Sequence, residues 1–252
     1  MPYAADLYYC AYHPKDTKRL PIVLIHGAGG DHHHWPVQVR RLPGYRIYAL
    51  DLPGHGKSTG HGIHQISDYA ERVFEWMDEI SLHKAVLVGH SMGGAISLQM
   101  GIQYPERVLG LGLAGTGAKL PVNASFLENT AHETTFQSAV EFLVSWAFSP
   151  STNPKLVKAV QQQMLKTRPT VMHGDFVACD SFDERERLGE IEYPTQVICG
   201  SDDKLMPVKY SQFLADHIPS AKLDLIPETG HMVMLEKPER FATALKKLLT
   251  RI

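Results

Sequence analysis

The sharpest chemical pattern in the chain is Gly89-His90-Ser91-Met92-Gly93. A serine hydroxyl is a weak nucleophile until a base takes its proton and a third group orients that base. The G-x-S-x-G spacing matters because it belongs to a sharp strand-to-helix turn. Here it follows the apolar run Ala85 to Val88 and precedes the helix-like Ala95 to Gln103. The turn is too tight for a Cβ on either side of the serine. Its strain is expected to push the Ser91 Oγ out above a sheet, beside a helix N-terminus. A glycine-rich turn with an idle serine would not need this setting. The base is then sought in Gly230-His231-Met232, and the acid between serine and histidine. The segment Gly200-Ser201-Asp202-Asp203-Lys204-Leu205-Met206-Pro207 offers two adjacent carboxylates, Asp202 and Asp203. An oxyanion also needs backbone donors, one being the amide of Met92, the residue after the nucleophile.

These groups need elements to hold them. Pro21 to Ile25 is a continuous apolar run ending at a histidine and glycine, as in a strand buried on both faces. Tyr45 to Leu50, Ala85 to Val88, Val108 to Leu113, Thr195 to Cys199 and Lys222 to Ile226 read as further strands. Ile66 to Ile80 has apolar residues at helical spacing, and Ala95 to Gln103, Val208 to His217 and Pro238 to Thr250 read as helices. Strands alternating with helices predict an α/β fold with a mostly parallel sheet and helices on both faces. Each candidate catalytic residue then stands just past the C-terminal end of a different strand, where such sheets bind ligands. From about residue 117 to 190 the strands stop. Phe126 to His132, Phe136 to Phe148, Lys155 to Lys166 and Val171 to Phe182 read as helices punctuated by Pro150, Pro154 and Pro169. This predicts one domain over 1–252, with a core at 1–116 and 191–252 and a helical cap inserted between.

The bulk numbers fit that picture. A chain of 252 residues that is 44% hydrophobic and 21% charged can bury one large core. With 25 Lys and Arg against 27 Asp and Glu, there is no electrostatic footprint for nucleic acid or an anionic membrane. Three cysteines without a C-x-x-C pair argue against a disulfide framework, and no apolar run is long enough to span a bilayer. No signal peptide is visible at Met1 to Asp6, so the cytoplasm is the expected compartment.

Several patterns invite other chemistry. Gly110-Leu-Gly-Leu-Ala-Gly115 matches a dinucleotide fingerprint, but its glycines fall within a strand rather than at the start of a helix. Gly56-Lys57-Ser58 resembles the end of a phosphate loop, yet Asp51 occupies the first glycine position. His32-His33-His34 suggests a metal site, but consecutive helical residues point about 100° apart. A solvent-exposed helix start is the expected reading. His132-Glu133 lacks a second histidine, and His90 reads as a buried, hydrogen-bonded neighbour of the nucleophile. No cofactor and no metal are expected.

His26-Gly27-Ala28-Gly29, Asp51-Leu-Pro-Gly-His-Gly-Lys-Ser58, the turn around Ser91 and Gly230-His231 occur in this order along the chain. In this the chain resembles the α/β-hydrolase superfamily, in the branch of small esterases, enol-lactonases and carbon–carbon bond hydrolases. The likeness runs over essentially the whole length, with the segment from about Gly117 matching the cap. It implies a Ser91–His231–Asp203 triad, because the family's D-x-x-x-P spacing fits Asp203 with Pro207 and not Asp202. It also implies Ala28 as the second oxyanion-hole amide, with His26 bracing that loop and Trp35 packing early in the following helix. The implied reaction is cleavage of small, fairly hydrophobic carboxylic esters through an acyl-enzyme. Leu205, Met232, Trp146 and Phe142 are expected near the acyl group. Lactonase, acyltransferase, hydroxynitrile lyase and carbon–carbon hydrolase activities run on the same triad, and a non-catalytic receptor is the alternative of another class. The expected partner is a small-molecule ester, with no nucleic acid and no membrane; oligomeric state is not legible.

Overall fold

Strands set where every other element can sit. The computed structural model describes residues 2–13, 15–16 and 18–252. Among these, eight strands form one sheet: β1 (Tyr3–Ala4), β2 (Leu7–Tyr12), β3 (Pro21–Ile25), β4 (Arg46–Leu50), β5 (Ala85–His90), β6 (Val108–Ala114), β7 (Thr195–Gly200) and β8 (Ala221–Ile226). The order is β1-β2-β4-β3-β5-β6-β7-β8. Every pairing from β4 to β8 is parallel, whereas β1 with β2 and β2 with β4 are antiparallel. The expected parallel sheet thus gains an antiparallel margin. Leu7–Tyr12 buries its first residue and leaves the other five half-covered, so it carries neither a continuous apolar run nor an alternation.

The two-residue period of the strands divides the core. Val23, Ile25, Leu87 and Leu113 face one hydrophobic cluster, and Ile22, Leu24, Val86 and Val88 face the other. The helices are α1 (Val37–Arg40), α2 (Ile66–Glu79), α3 (Met92–Gln103), α4 (Ala124–Ala131), α5 (Glu133–Ala147), α6 (Pro154–Met164), α7 (Pro169–Ser181), α8 (Val208–His217), α9 (Val233–Glu236) and α10 (Pro238–Leu249). α2 puts Tyr69, Val73 and Trp76 into the first cluster, and α10 puts Phe241, Leu245 and Leu248 into the second. Helices therefore cover both faces. None is long and apolar enough to cross a membrane.

Helices α4 to α7 all lie between β6 and β7, and an isolated bridge from Lys119 to Asp183 closes the base of this insert. Their starts are explicit in the sequence. Asn123 caps α4 by accepting from the amides of Ser125 and Phe126. Asn153 caps α6, with Pro154 in the first turn, where its missing N–H costs nothing. The insert does not stand apart from the sheet. Val140 and Val144 of α5 join one buried cluster, and Ala178 and Cys179 of α7 join the other.

Candidate active site

Ser91 joins β5 to α3 with φ 53° and ψ −118°, a backbone region that residues with a Cβ rarely adopt. Its neighbours enforce this. The Ser91 amide donates to the Ala114 carbonyl at 2.8 Å, and the Thr116 hydroxyl donates to the Ser91 carbonyl at 2.8 Å. A Cβ at Gly89 would lie 1.9 Å from the Gly93 oxygen, and one at Gly93 would lie 2.2 Å from the Ile25 oxygen. Both glycines are required by the close approach of backbone. Ser91 precedes the helix without capping it through its side chain, and Met92 opens α3, where amides have no intrahelical acceptor.

His231 and Asp203 stand on the loops after β8 and β7. The His231 Nδ1–H donates to Asp203 Oδ2 at 2.9 Å. Asp203 Oδ1 accepts from the amides of Leu205 at 3.0 Å and Met206 at 2.8 Å, so the carboxylate is fixed at both oxygens. With Nδ1 donating, the lone pair of the neutral ring is at Nε2. Asp202 turns away. Its carboxylate accepts from the Ser149 hydroxyl at 2.7 Å and the Ser201 hydroxyl at 2.8 Å, and these bonds hold it below the usual carboxylate range. The insert also grips the histidine loop: the amides of His231 and Met232 both donate to the Ala147 carbonyl, at 2.8 and 3.2 Å.

The loop after β3 is braced from both sides. His26 donates from Nδ1 to the Gly27 carbonyl at 2.8 Å and accepts the Leu52 amide on Nε2 at 3.0 Å. Burial drives its pKa down to about 3, and a neutral ring is what these two bonds require. From the insert, Asp175 accepts the Gly29 amide at 2.8 Å and the Thr167 hydroxyl donates to the Gly29 carbonyl at 3.0 Å. Ala28, between these supports, borders the same cavity as Ser91 and His231. That cavity measures about 600 Å³, and its walls are largely apolar, with Leu143, Val160, Met164 and Met206 among them. Leu205, Met232, Phe142 and Trp146 border it as well. Phe142 and Trp146 stay 50% and 44% exposed, with ring centroids 5.3 Å apart.

A family model for the alpha/beta hydrolase fold matches residues 21–238. The chain belongs to the α/β-hydrolase-fold family. Curated relatives include a pimeloyl-(acyl-carrier protein) methyl ester esterase of Yersinia enterocolitica, 30% identical over 237 residues, 88% of this chain and 90% of that protein. The dihydrolipoyllysine-residue acetyltransferase component of the acetoin cleaving system of Pseudomonas putida is 30% identical over 233 residues, 87% of this chain. This chain spans only 60% of the length of that relative. The crystal structure of the enol-lactonase from Burkholderia xenovorans LB400 shares the fold with a TM-score of 0.92 at 23% identity, covering 99% of this chain and 100% of that one.

Around this α/β-hydrolase centre three local expectations need correction. The histidine run is a single 3-10 turn, His32–His34, and not an exposed helix start: His32 and His34 are buried, and only His33 is exposed. His32 is drawn in because its amide and its Nδ1 both bond Asp51 Oδ1 at 2.7 Å. The 100° argument does not hold in so tight a turn. The His32 and His33 ring centroids lie 3.9 Å apart with their planes tilted by 36°, and with Asp31 they bring one potential ligand atom each within 4.8 Å of one another. Asp31 is already engaged there by the amide and ring of His33. Trp35 follows the turn in extended backbone and packs on Phe241 with its ring fully buried, so it is outside the helix.

Asp175 carries no motif, yet it is wholly buried and joins three parts of this α/β-hydrolase chain. Besides Gly29 it meets His55 Nε2 at 2.8 Å and accepts the Tyr69 hydroxyl at 2.5 Å. Burial opposes a charge on His55, but the carboxylate of Asp175, with the Pro53 carbonyl on the other nitrogen, raises its pKa. No local sequence pattern singles it out, since the segment Val171 to Phe182 carries a second carboxylate, Asp180.

Proposed function

We propose that the protein is a serine hydrolase that cleaves small, fairly hydrophobic carboxylic esters, with Ser91 as nucleophile, His231 as base and Asp203 as its orienting acid. The observation that carries this reading is the 2.9 Å contact of His231 Nδ1 with Asp203 Oδ2, on a ring that shares the cavity with Ser91. The Ser91 Oγ attacks the ester carbonyl carbon while its proton passes to His231 Nε2. The carbonyl oxygen becomes an oxyanion, which the amides of Ala28 and Met92 receive. Collapse breaks the bond to the alkoxy oxygen, which leaves as the alcohol with the proton from His231. Water then repeats the sequence on the acyl-enzyme, releasing the acid and free serine.

The ester preference draws on the apolar wall and on the methyl ester esterase among the relatives. In this reading α4 to α7 act as a lid that excludes water and shapes the acyl pocket. Phe142 and Trp146 contribute at its entrance, and Leu205 and Met232 deeper in. The test is turnover of short p-nitrophenyl esters beside covalent labelling by a fluorophosphonate. Ser91→Ala is expected to lower kcat by roughly 10⁴-fold and to abolish labelling. A variant that keeps a tenth of the activity removes Ser91 from the mechanism.

A further inference from the structure

His34 is a polar side chain without a visible occupation. It is 3% exposed, and among the described residues neither ring nitrogen has a hydrogen-bond partner. Yet it borders the cavity that holds Ser91, Ala28 and His231. Gly30 makes the ring's position possible, since a Cβ there would come within 2.4 Å of His34 Nδ1. Buried polar groups left unpaired are rare and costly, so an orphan on a cavity wall points to a partner that arrives with the ligand.

A second imidazole borders the same cavity. His90 Nε2–H donates to the His231 carbonyl at 3.0 Å, which leaves Nδ1 as a bare lone pair. That nitrogen also lacks a partner among the described residues, and His90 borders the cavity. Burial lowers the pKa of His34 to about 4 and holds that of His90 well below its usual value. Both rings are therefore neutral near pH 7. Together they present one N–H and two lone pairs, with no positive charge to hold a carboxylate.

We infer that His34, with His90 beside the nucleophile, forms a subsite for an uncharged hydroxyl group of the substrate. This rests on the serine-hydrolase reading above and narrows it from hydrophobic esters in general to hydroxylated ones. A hydroxyl both donates and accepts, so it satisfies an N–H and a lone pair at once. The ester oxygens only accept and leave the lone pairs unpaired. A substrate hydroxyl that reaches these nitrogens supplies the missing bonds, whereas a methylene does not.

Two pairs of esters test the subsite and locate the hydroxyl: p-nitrophenyl 3-hydroxybutanoate against p-nitrophenyl butanoate for the acyl side, and 2-hydroxyethyl butanoate against propyl butanoate for the alcohol side. The wild-type protein is expected to favour the hydroxylated member of one pair by about tenfold in kcat/KM. His34→Leu and His34→Met are expected to bring that ratio close to one. His34→Gln keeps part of it, because an amide still donates and accepts. Fluorophosphonate labelling verifies that each variant is folded, and the methionine variant decides if the leucine variant is not. Equal rates within both pairs overturn the inference while leaving the hydrolase intact, as does a preference that survives in His34→Met. Absence of turnover in every pair above the Ser91→Ala blank overturns the hydrolase reading itself, and the subsite with it.

Discussion

Asp202 and Asp203 are neighbours in the chain, and their carboxylates meet different partners. Asp203 is 5% exposed, bonded to the His231 ring and to two backbone amides. Asp202 sits among the hydroxyls of Ser149 and Ser201. An amide at 203 can turn its NH₂ toward the ring and favour the wrong histidine tautomer, the fault known from serine-hydrolase triads. Asp203→Asn is accordingly expected to lower kcat on the order of 10³–10⁴-fold. Asp202→Asn, which disturbs only partly solvated hydroxyl contacts, is expected to stay within about threefold. Steady-state rates on one p-nitrophenyl ester compare the two directly, and a reversed order would transfer the orienting role to Asp202. The residue types alone left both open; the direction in which each side chain leaves the loop separates them.

At the scale of elements, the insert does more than cover the sheet, because α7 reaches the loop that carries Ala28. Asp175→Ala removes the acceptor of the Gly29 amide and strands His55 and Tyr69 without their partner. Leaving these buried donors unpaired costs about 1–3 kcal/mol each, and in the proposed mechanism a displaced Ala28 amide serves the oxyanion poorly. The expected outcome is a lowered melting temperature together with a kcat reduced about tenfold and a slower fluorophosphonate reaction, KM changing less. Labelling at the wild-type rate would show that the loop holds its shape without α7. The longer helices and the parallel strands were legible in the sequence, the strands as short apolar runs and helices such as α2 as apolar residues at helical spacing, and α8 begins and ends at Val208 and His217 as expected. β1 and β2 escaped because a half-covered margin selects no such pattern. Ser91 and His231 sit in local motifs that a reader of the chain can see. Asp175 does not, since its partners lie 106 to 146 residues away in the chain, and neither does His34, which borders a cavity formed only by folding.

For the molecule as a whole, the centre gathers an unusual number of buried imidazoles, and their protonation ties stability to pH. Burial lowers the pKa of His26 to about 3 and that of His34 to about 4, and holds His90 well below 6.5. A folded-state pKa below the unfolded one means that the unfolded chain takes up these protons first. The stabilising contribution is therefore complete above about pH 6.5 and shrinks as the pH falls toward each folded value. His55 works in the opposite direction, because its pKa is raised. Its contribution is full below about pH 6.5 and fades at higher pH, so it does not cancel the loss in acid. The carboxylate of Asp31, lowered to about 2, adds its own loss only below the usual aspartate range. Between about pH 6 and 5 the His26 and His34 rings each cost up to roughly 1.4 kcal/mol per pH unit, and His90 adds to the loss in the same direction, against a typical total stability of about 5–15 kcal/mol. The melting temperature is thus expected to fall by on the order of 10 °C between pH 7.5 and pH 5, with unfolding close behind. His34→Gln removes one of the three titrating rings and is expected to flatten that slope by about one proton's worth. A melting temperature that stays level from pH 7.5 to 5 would mean that the buried rings reach water, and with it their protons, without unfolding the chain.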